Sequence, residues 1–67
     1  MGPEEMSFRN LVKWNKDDLI KIVNGALASD VFTAHQHSYL VKHGVLRRVP
    51  KTLRTLPTPK ALRVLGL

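Results

Sequence analysis

His35 to Arg48 reads HQHSYLVKHGVLRR: helix-compatible residues up to His43, a glycine, an apolar pair and two arginines. Glycine just past a helical run supplies the left-handed residue on which helices commonly end. Val45 and Leu46 then favour an extended chain. The stretch therefore predicts a helix that hands over at Gly44 to a basic strand. Its three histidines invite a metal site, and helical geometry argues against one. At about 100° per residue, His35 and His37 point roughly 160° apart, while His35 and His43 are separated by about 12 Å along the axis. The chain has no cysteine, and the nearest acid in sequence is Asp30. No metal and no cofactor are expected.

Downstream, Val45 to Val49 and Thr52 to Leu56 read as two β-rich arms around a turn carrying Pro50 and Lys51, a hairpin over about 45–56. The segment Leu56-Pro-Thr-Pro59 breaks the second arm, and Thr58 as cap with Pro59 in the first turn starts a short helix over about 59–65. Upstream, Ser29 or Asp30 caps the helix that ends at Gly44, giving about 30–43. Its apolar pattern is weak, with Val31, Ala34 and Val41 near one face and His37 and Ser38 interrupting. Asn15 and Asp18 suit the start of a helix over about 16–24, whose stripe is Leu19, Ile22, Val23 and Ala26 and whose end is Asn24-Gly25. A first helix spans about 7–14, with Phe8, Leu11 and Val12 on one face; Pro3, Glu4 and Glu5 suit an earlier start. Phe8 and Trp14 are expected in the core, and the four aromatic residues are too scattered to suggest a base-stacking face.

A 67-residue chain makes one domain, 1–67, with a small core and no room for a deep catalytic cleft. Five acids confined to the first thirty residues form no recognisable acid/base pair with the histidines, so no enzyme is expected. Apolar runs are too short for a membrane span or a signal peptide. The opening Met-Gly-Pro-Glu-Glu-Met is not a myristoylation signal, because Met6 stands where Ser or Thr is needed. A cytoplasmic setting is expected, on the nucleoid or in a host cytoplasm if viral. The net charge is +6, and its placement is informative. Residues 1–30 hold four Lys/Arg against five acids, whereas residues 31–67 hold seven and no acid. Such asymmetry favours a polyanionic partner.

Three helices followed by a basic hairpin is also the order of the winged helix-turn-helix family. Tyr39-Leu-Val-Lys-His-Gly-Val-Leu-Arg-Arg48 is similar to the end of that family's recognition helix and its entry into the wing. Thr58-Pro-Lys-Ala-Leu-Arg-Val-Leu-Gly66 resembles the segment that comes after the wing and begins a closing helix. The resemblance covers residues 15–66, with one departure: His37 stands seven before the glycine, where the family has an apolar residue. A shifted packing face built on Ala34, Ser38 and Val41 is one expectation from it.

The fold class implied is mainly α with a small β-hairpin, α+β: three helices, a two-stranded wing and a short C-terminal helix. The function implied is binding of double-stranded DNA with some sequence preference, as a small transcriptional regulator of prokaryotic or viral type. Its third helix would enter the major groove through His35, Gln36, Tyr39 and Lys42, with Thr33 near its start. Arg47, Arg48, Lys51 and Arg54 would be backbone or minor-groove contacts of the wing. A second copy, docking through Leu62, Leu65 and Leu67, is a further expected partner. The alternative is a small basic module that docks on an acidic protein or on RNA.

Overall fold

The computed structural model describes residues 3–52 and 54–67, with side chains described from Met6 onward. Among them are five helices and one two-stranded antiparallel sheet, an α+β arrangement that is mainly helical. The helices are α1 (Pro3–Trp14), α2 (Lys16–Val23), α3 (Ala28–Val31), α4 (Ala34–Lys42) and α5 (Pro59–Leu65). Strands β1 (Leu46–Arg48) and β2 (Thr55–Pro57) lie between α4 and α5. Among the described residues no helix is long and apolar enough to cross a membrane.

The first helix begins at Pro3 rather than near residue 7. Proline lacks only an N–H that the first turn leaves unpaired anyway, so it extends the helix without loss. Phe8 and Val12 are buried and Leu11 is half-buried, as the periodicity required. Trp14 is not core; it is 80% exposed at the end of α1. Asn15 does not cap α2. Its side-chain amide donates to the Leu11 carbonyl at 2.8 Å, satisfying the end of α1, while Asp18 pairs with Lys21 at 3.6 Å instead of reaching back. Thus α1 and α2 meet at a one-residue bend in which Asn15 closes the first helix.

The helix expected over 30–43 is broken. Helix α3 is a single turn that starts after Leu27, with no side-chain cap from Ser29 or Asp30. Phe32 and Thr33 are both extended, at φ −115° and −67° with ψ near 150–160°. Two forces favour the break. Phe32 enters the core at 5% exposed, and Thr33 builds a reciprocal cap with Gln36. The Thr33 hydroxyl accepts from the Gln36 N–H and the Gln36 side-chain oxygen accepts from the Thr33 N–H, each at 3.2 Å.

Helix α4 then buries Leu40 and half-buries His37 and Val41. Ala34 and Ser38 are exposed, so the face is not shifted around His37; that histidine occupies the apolar position itself. Gly44, at φ +78°, lets the chain reverse. Its N–H reaches the Val41 carbonyl and the Val45 N–H reaches that of Leu40, so two orphan carbonyls are satisfied and Val45 and Leu46 enter the core fully buried.

The hairpin ladder is shorter than the expected 45–56, and its second arm runs later. Leu46 pairs with Pro57, Arg47 with Leu56 and Arg48 with Thr55. Pro57 belongs to the strand rather than breaking it, which an edge strand tolerates because its missing N–H has no partner to lose there. Thr52 lies in the connecting loop, where its hydroxyl donates to the Val49 carbonyl at 3.0 Å and accepts from the Arg54 N–H at 3.2 Å. Leu53 of the expected arm lies outside the described residues. Thr58 anchors the start of α5. Its hydroxyl donates to the Gly44 carbonyl at 2.6 Å and accepts from Ala61 N–H at 3.2 Å, so one side chain caps α5 and ties it to the α4–β1 junction.

All five helices and strand β1 feed one core, formed by Phe8, Val12, Leu19, Ile22, Phe32, Leu40 and Leu46 with Ala28, Val45 and Ala61 between them. The C-terminal Val64 and Leu65 pack on this core, Leu62 is half-buried and Leu67 is exposed.

Candidate nucleic-acid interface

The exposed side of α4 is set by what its other side buries. His37, Leu40 and Val41 face inward, and at about 100° per residue His35, Tyr39 and Lys42 lie opposite them. Gln36 falls roughly a quarter-turn away, on the flank toward α1. There His35, Gln36 and Tyr39 meet Leu11 and Asn15 around a cavity of about 230 Å³. Tyr39 is 48% exposed and its ring stacks, tilted by 42°, on His43 at 4.3 Å. The nine residues expected at the interface are all exposed, from Thr33 on α4's start to Arg54 at the end of the β1–β2 loop.

They divide into three groups. His35, Tyr39 and Lys42 share the outer face of α4. Thr33 and Gln36 form its cap, which constrains what each offers to a ligand. The Gln36 side-chain oxygen already accepts one bond, leaving its amide N–H groups as donors and one lone pair free; the Thr33 hydroxyl keeps its proton to donate. The hairpin cations are spread rather than clustered. Strand alternation puts Arg48 on the side of Leu46 and Thr55, and Arg47 with Leu56 on the other. Lys51 sits in the loop at φ +64°, a left-handed conformation that a side chain with a Cβ adopts at a cost of about 1 kcal/mol or more.

The histidines disperse. His35 lines the cavity beside α1, His43 stacks on Tyr39, and His37 shares a hydrogen bond with the Thr55 hydroxyl at 2.9 Å. Among the described residues no three His, Cys, Asp or Glu side chains gather to hold a metal ion. The His37–Thr55 bond has a mechanical role: it joins the inner face of α4 to β2, so the helix and the hairpin keep one relative orientation. Thr55→Val is expected to cost about 1–2 kcal/mol, since it leaves the imidazole nitrogen without its partner. The double variant His37→Leu with Thr55→Val should regain most of that loss, because both polar partners are replaced together. Thermal melting of the four proteins measures the coupling. Simple additivity of the two single losses would show that the bond contributes nothing.

Beside this surface lie Trp14, which the sequence assigned to the core, and Lys60, which it did not single out. A second and larger concavity, about 800 Å³, runs between α1 and α4, with Trp14 on one wall, Tyr39 and Lys42 on the other and Lys60 at its end. Helical periodicity held the signal for Trp14, since the residue sits about 110° from the centre of the Phe8–Leu11–Val12 face. Compared with protein-family models, curated proteins and solved structures, the chain finds no match in any of the three.

Proposed function

We propose that the chain is a winged helix-turn-helix module that binds double-stranded DNA, with α4 in the major groove and the β1–β2 hairpin against the neighbouring backbone or minor groove, acting as a small transcriptional regulator. The helix-turn-helix is then α3, the Phe32–Thr33 break and α4, with α2 as the helix packed behind it, rather than α2 followed by one long third helix. The observation that carries the proposal is the exposed His35–Tyr39–Lys42 face of α4 running directly into a hairpin with three arginines, in a half of the chain that holds no acid. Arg47 and Arg48 on opposite faces of a narrow ribbon suit a wing lying in a minor groove, where a phosphate strand stands on either side. The strained Lys51 supports the same assignment, since glycine or asparagine holds its conformation more easily and neither brings a charge to the tip.

The groove-facing residues would read and the wing residues would position. Gln36→Glu separates the two jobs, because glutamate preserves the reciprocal cap while removing the amide donors. Its expected effect is a shift of preference from adenine toward cytosine at one or two base pairs, worth about 1–3 kcal/mol, with an unchanged melting temperature. Arg48→Ala should weaken binding to all sequences alike and reduce the salt slope by about 1. Selection from a random duplex pool at physiological salt, run on each variant, checks both. The selection also tests the expected second copy: a palindromic winner with half-sites one helical turn apart indicates a dimer. Duplex DNA binding no better than a neutral polymer at low salt removes the proposal.

A further inference from the structure

We propose that the groove between α1 and α4 binds a short stretch of single-stranded nucleic acid, its bases stacking on Trp14 and on the Tyr39–His43 ring pair and its phosphates meeting Lys42. The sequence holds four aromatic residues, and folding brings three of them to this one concavity, Phe8 in its floor and Trp14 and Tyr39 at its walls, while Phe32 alone goes elsewhere in the core. Trp14 is the largest side chain in the protein, yet it is 80% exposed while smaller apolar residues fill the core. An indole left in water beside a tilted tyrosine–histidine stack offers flat faces at two places, and bases of any identity can stack there.

Lys42 sets a cation beside the aromatic faces of the groove, which suits an anionic occupant, while Lys60 stands 4.5 Å above the Phe8 ring. At about 800 Å³ the concavity has the size of a site for a few nucleotides or side chains, and a duplex cannot enter it. An acidic peptide with an apolar anchor is the other slim anionic occupant, and the lining fits it less well. Such an anchor needs a closed apolar pocket, whereas here Ser7 and Asn10 bring polar groups able to hydrogen-bond base edges. The site stands apart from duplex binding in Trp14 and overlaps it in Tyr39 and Lys42. Single strand and duplex therefore compete for α4.

Trp14 is the sole tryptophan, so its fluorescence reports on the site directly. Titrating the full chain with a mixed-sequence DNA single strand of about twelve nucleotides should quench that emission saturably and more weakly as salt rises. Trp14→Ala, at an exposed position that leaves the core intact, should weaken binding of the labelled strand on the order of tenfold while changing affinity for the matching duplex by less than about twofold. Lys42→Gln should reduce the salt slope of single-strand binding by about 0.7. The proposal is overturned if the strand binds without quenching, or if Trp14→Ala leaves its affinity unchanged. An equal fall for strand and duplex overturns it too, by making Trp14 part of the duplex surface. If a Glu-rich peptide carrying one phenylalanine quenches Trp14 and the oligonucleotide does not, the groove takes a protein partner instead.

Discussion

Replacing Arg47, Arg48 and Arg54 together by glutamine is expected to lower duplex affinity by about 500-fold at 0.1 M salt. Each phosphate contact releases condensed counterions and contributes about 0.9 to the slope of log affinity against log salt, so three contacts account for about 2.7 decades between 0.1 M and a 1 M reference. The same substitutions flatten the measured slope by about 2.7, which an indirect loss through unfolding would not do. All three side chains are exposed, and the ladder that aligns them depends on Leu46, Thr55 and Pro57 facing the core, so the melting temperature should stay close to that of the unaltered chain. Titration of a fixed duplex between about 50 and 200 mM salt, paired with a melt, gives both readouts. An unchanged slope would remove the hairpin from the proposed interface. A smaller slope change of about 1.8 would show that one arginine faces water; strand alternation makes Arg47 the first to examine.

How much of the molecule is legible in the sequence depends on the range of the interactions involved. Thr58-Pro59 announces α5 because cap, first-turn proline and helix are neighbours in the chain, and the Thr58 hydroxyl does accept from Ala61 N–H. Gly44 announces the end of α4 for the same reason. The break at Phe32–Thr33 is local too, written as threonine with glutamine three residues later. It is hard to read because no glycine or proline marks it, and because the pull of Phe32 into the core is a tertiary force. His37 shows the opposite case. Its sequence pattern suggests a disturbed packing face; the remedy is Thr55, eighteen residues away, and no pattern within either segment reveals that pairing. Trp14 is misplaced by composition: a tryptophan is usually core, and that prior outweighs a helical wheel that already turns it outward. The candidate surface is therefore legible in its charges, which depend on composition, and much less so in its concavities, which depend on how α1 and α4 are set against one another.

Leu19→Ala is expected to unfold a large fraction of the protein. Leu19 is completely buried in α2, among Val12, Ile22 and Leu46, and truncating such a leucine costs about 2–5 kcal/mol through lost transfer energy and the cavity left behind. A 67-residue domain commands only about 3–10 kcal/mol in total, so one side chain represents about a fifth of its stability or more. A melting temperature lower by about 15–35 °C is the corresponding result in a thermal scan. Leu19→Met, close in volume and flexible enough to refill the site, should lose less than about 1.5 kcal/mol. The proposed duplex binding gives the substitution a second use. Anything that binds only the folded chain stabilises it, and duplex DNA at about one hundred times its dissociation constant adds about 2.7 kcal/mol. Leu19→Ala should therefore regain helical circular dichroism when specific duplex is added, and regain less with a duplex that lacks the preferred sequence. A variant that melts at the temperature of the unaltered chain would show that α2 does not anchor the core. One that stays unfolded in saturating duplex would show that DNA does not select this fold.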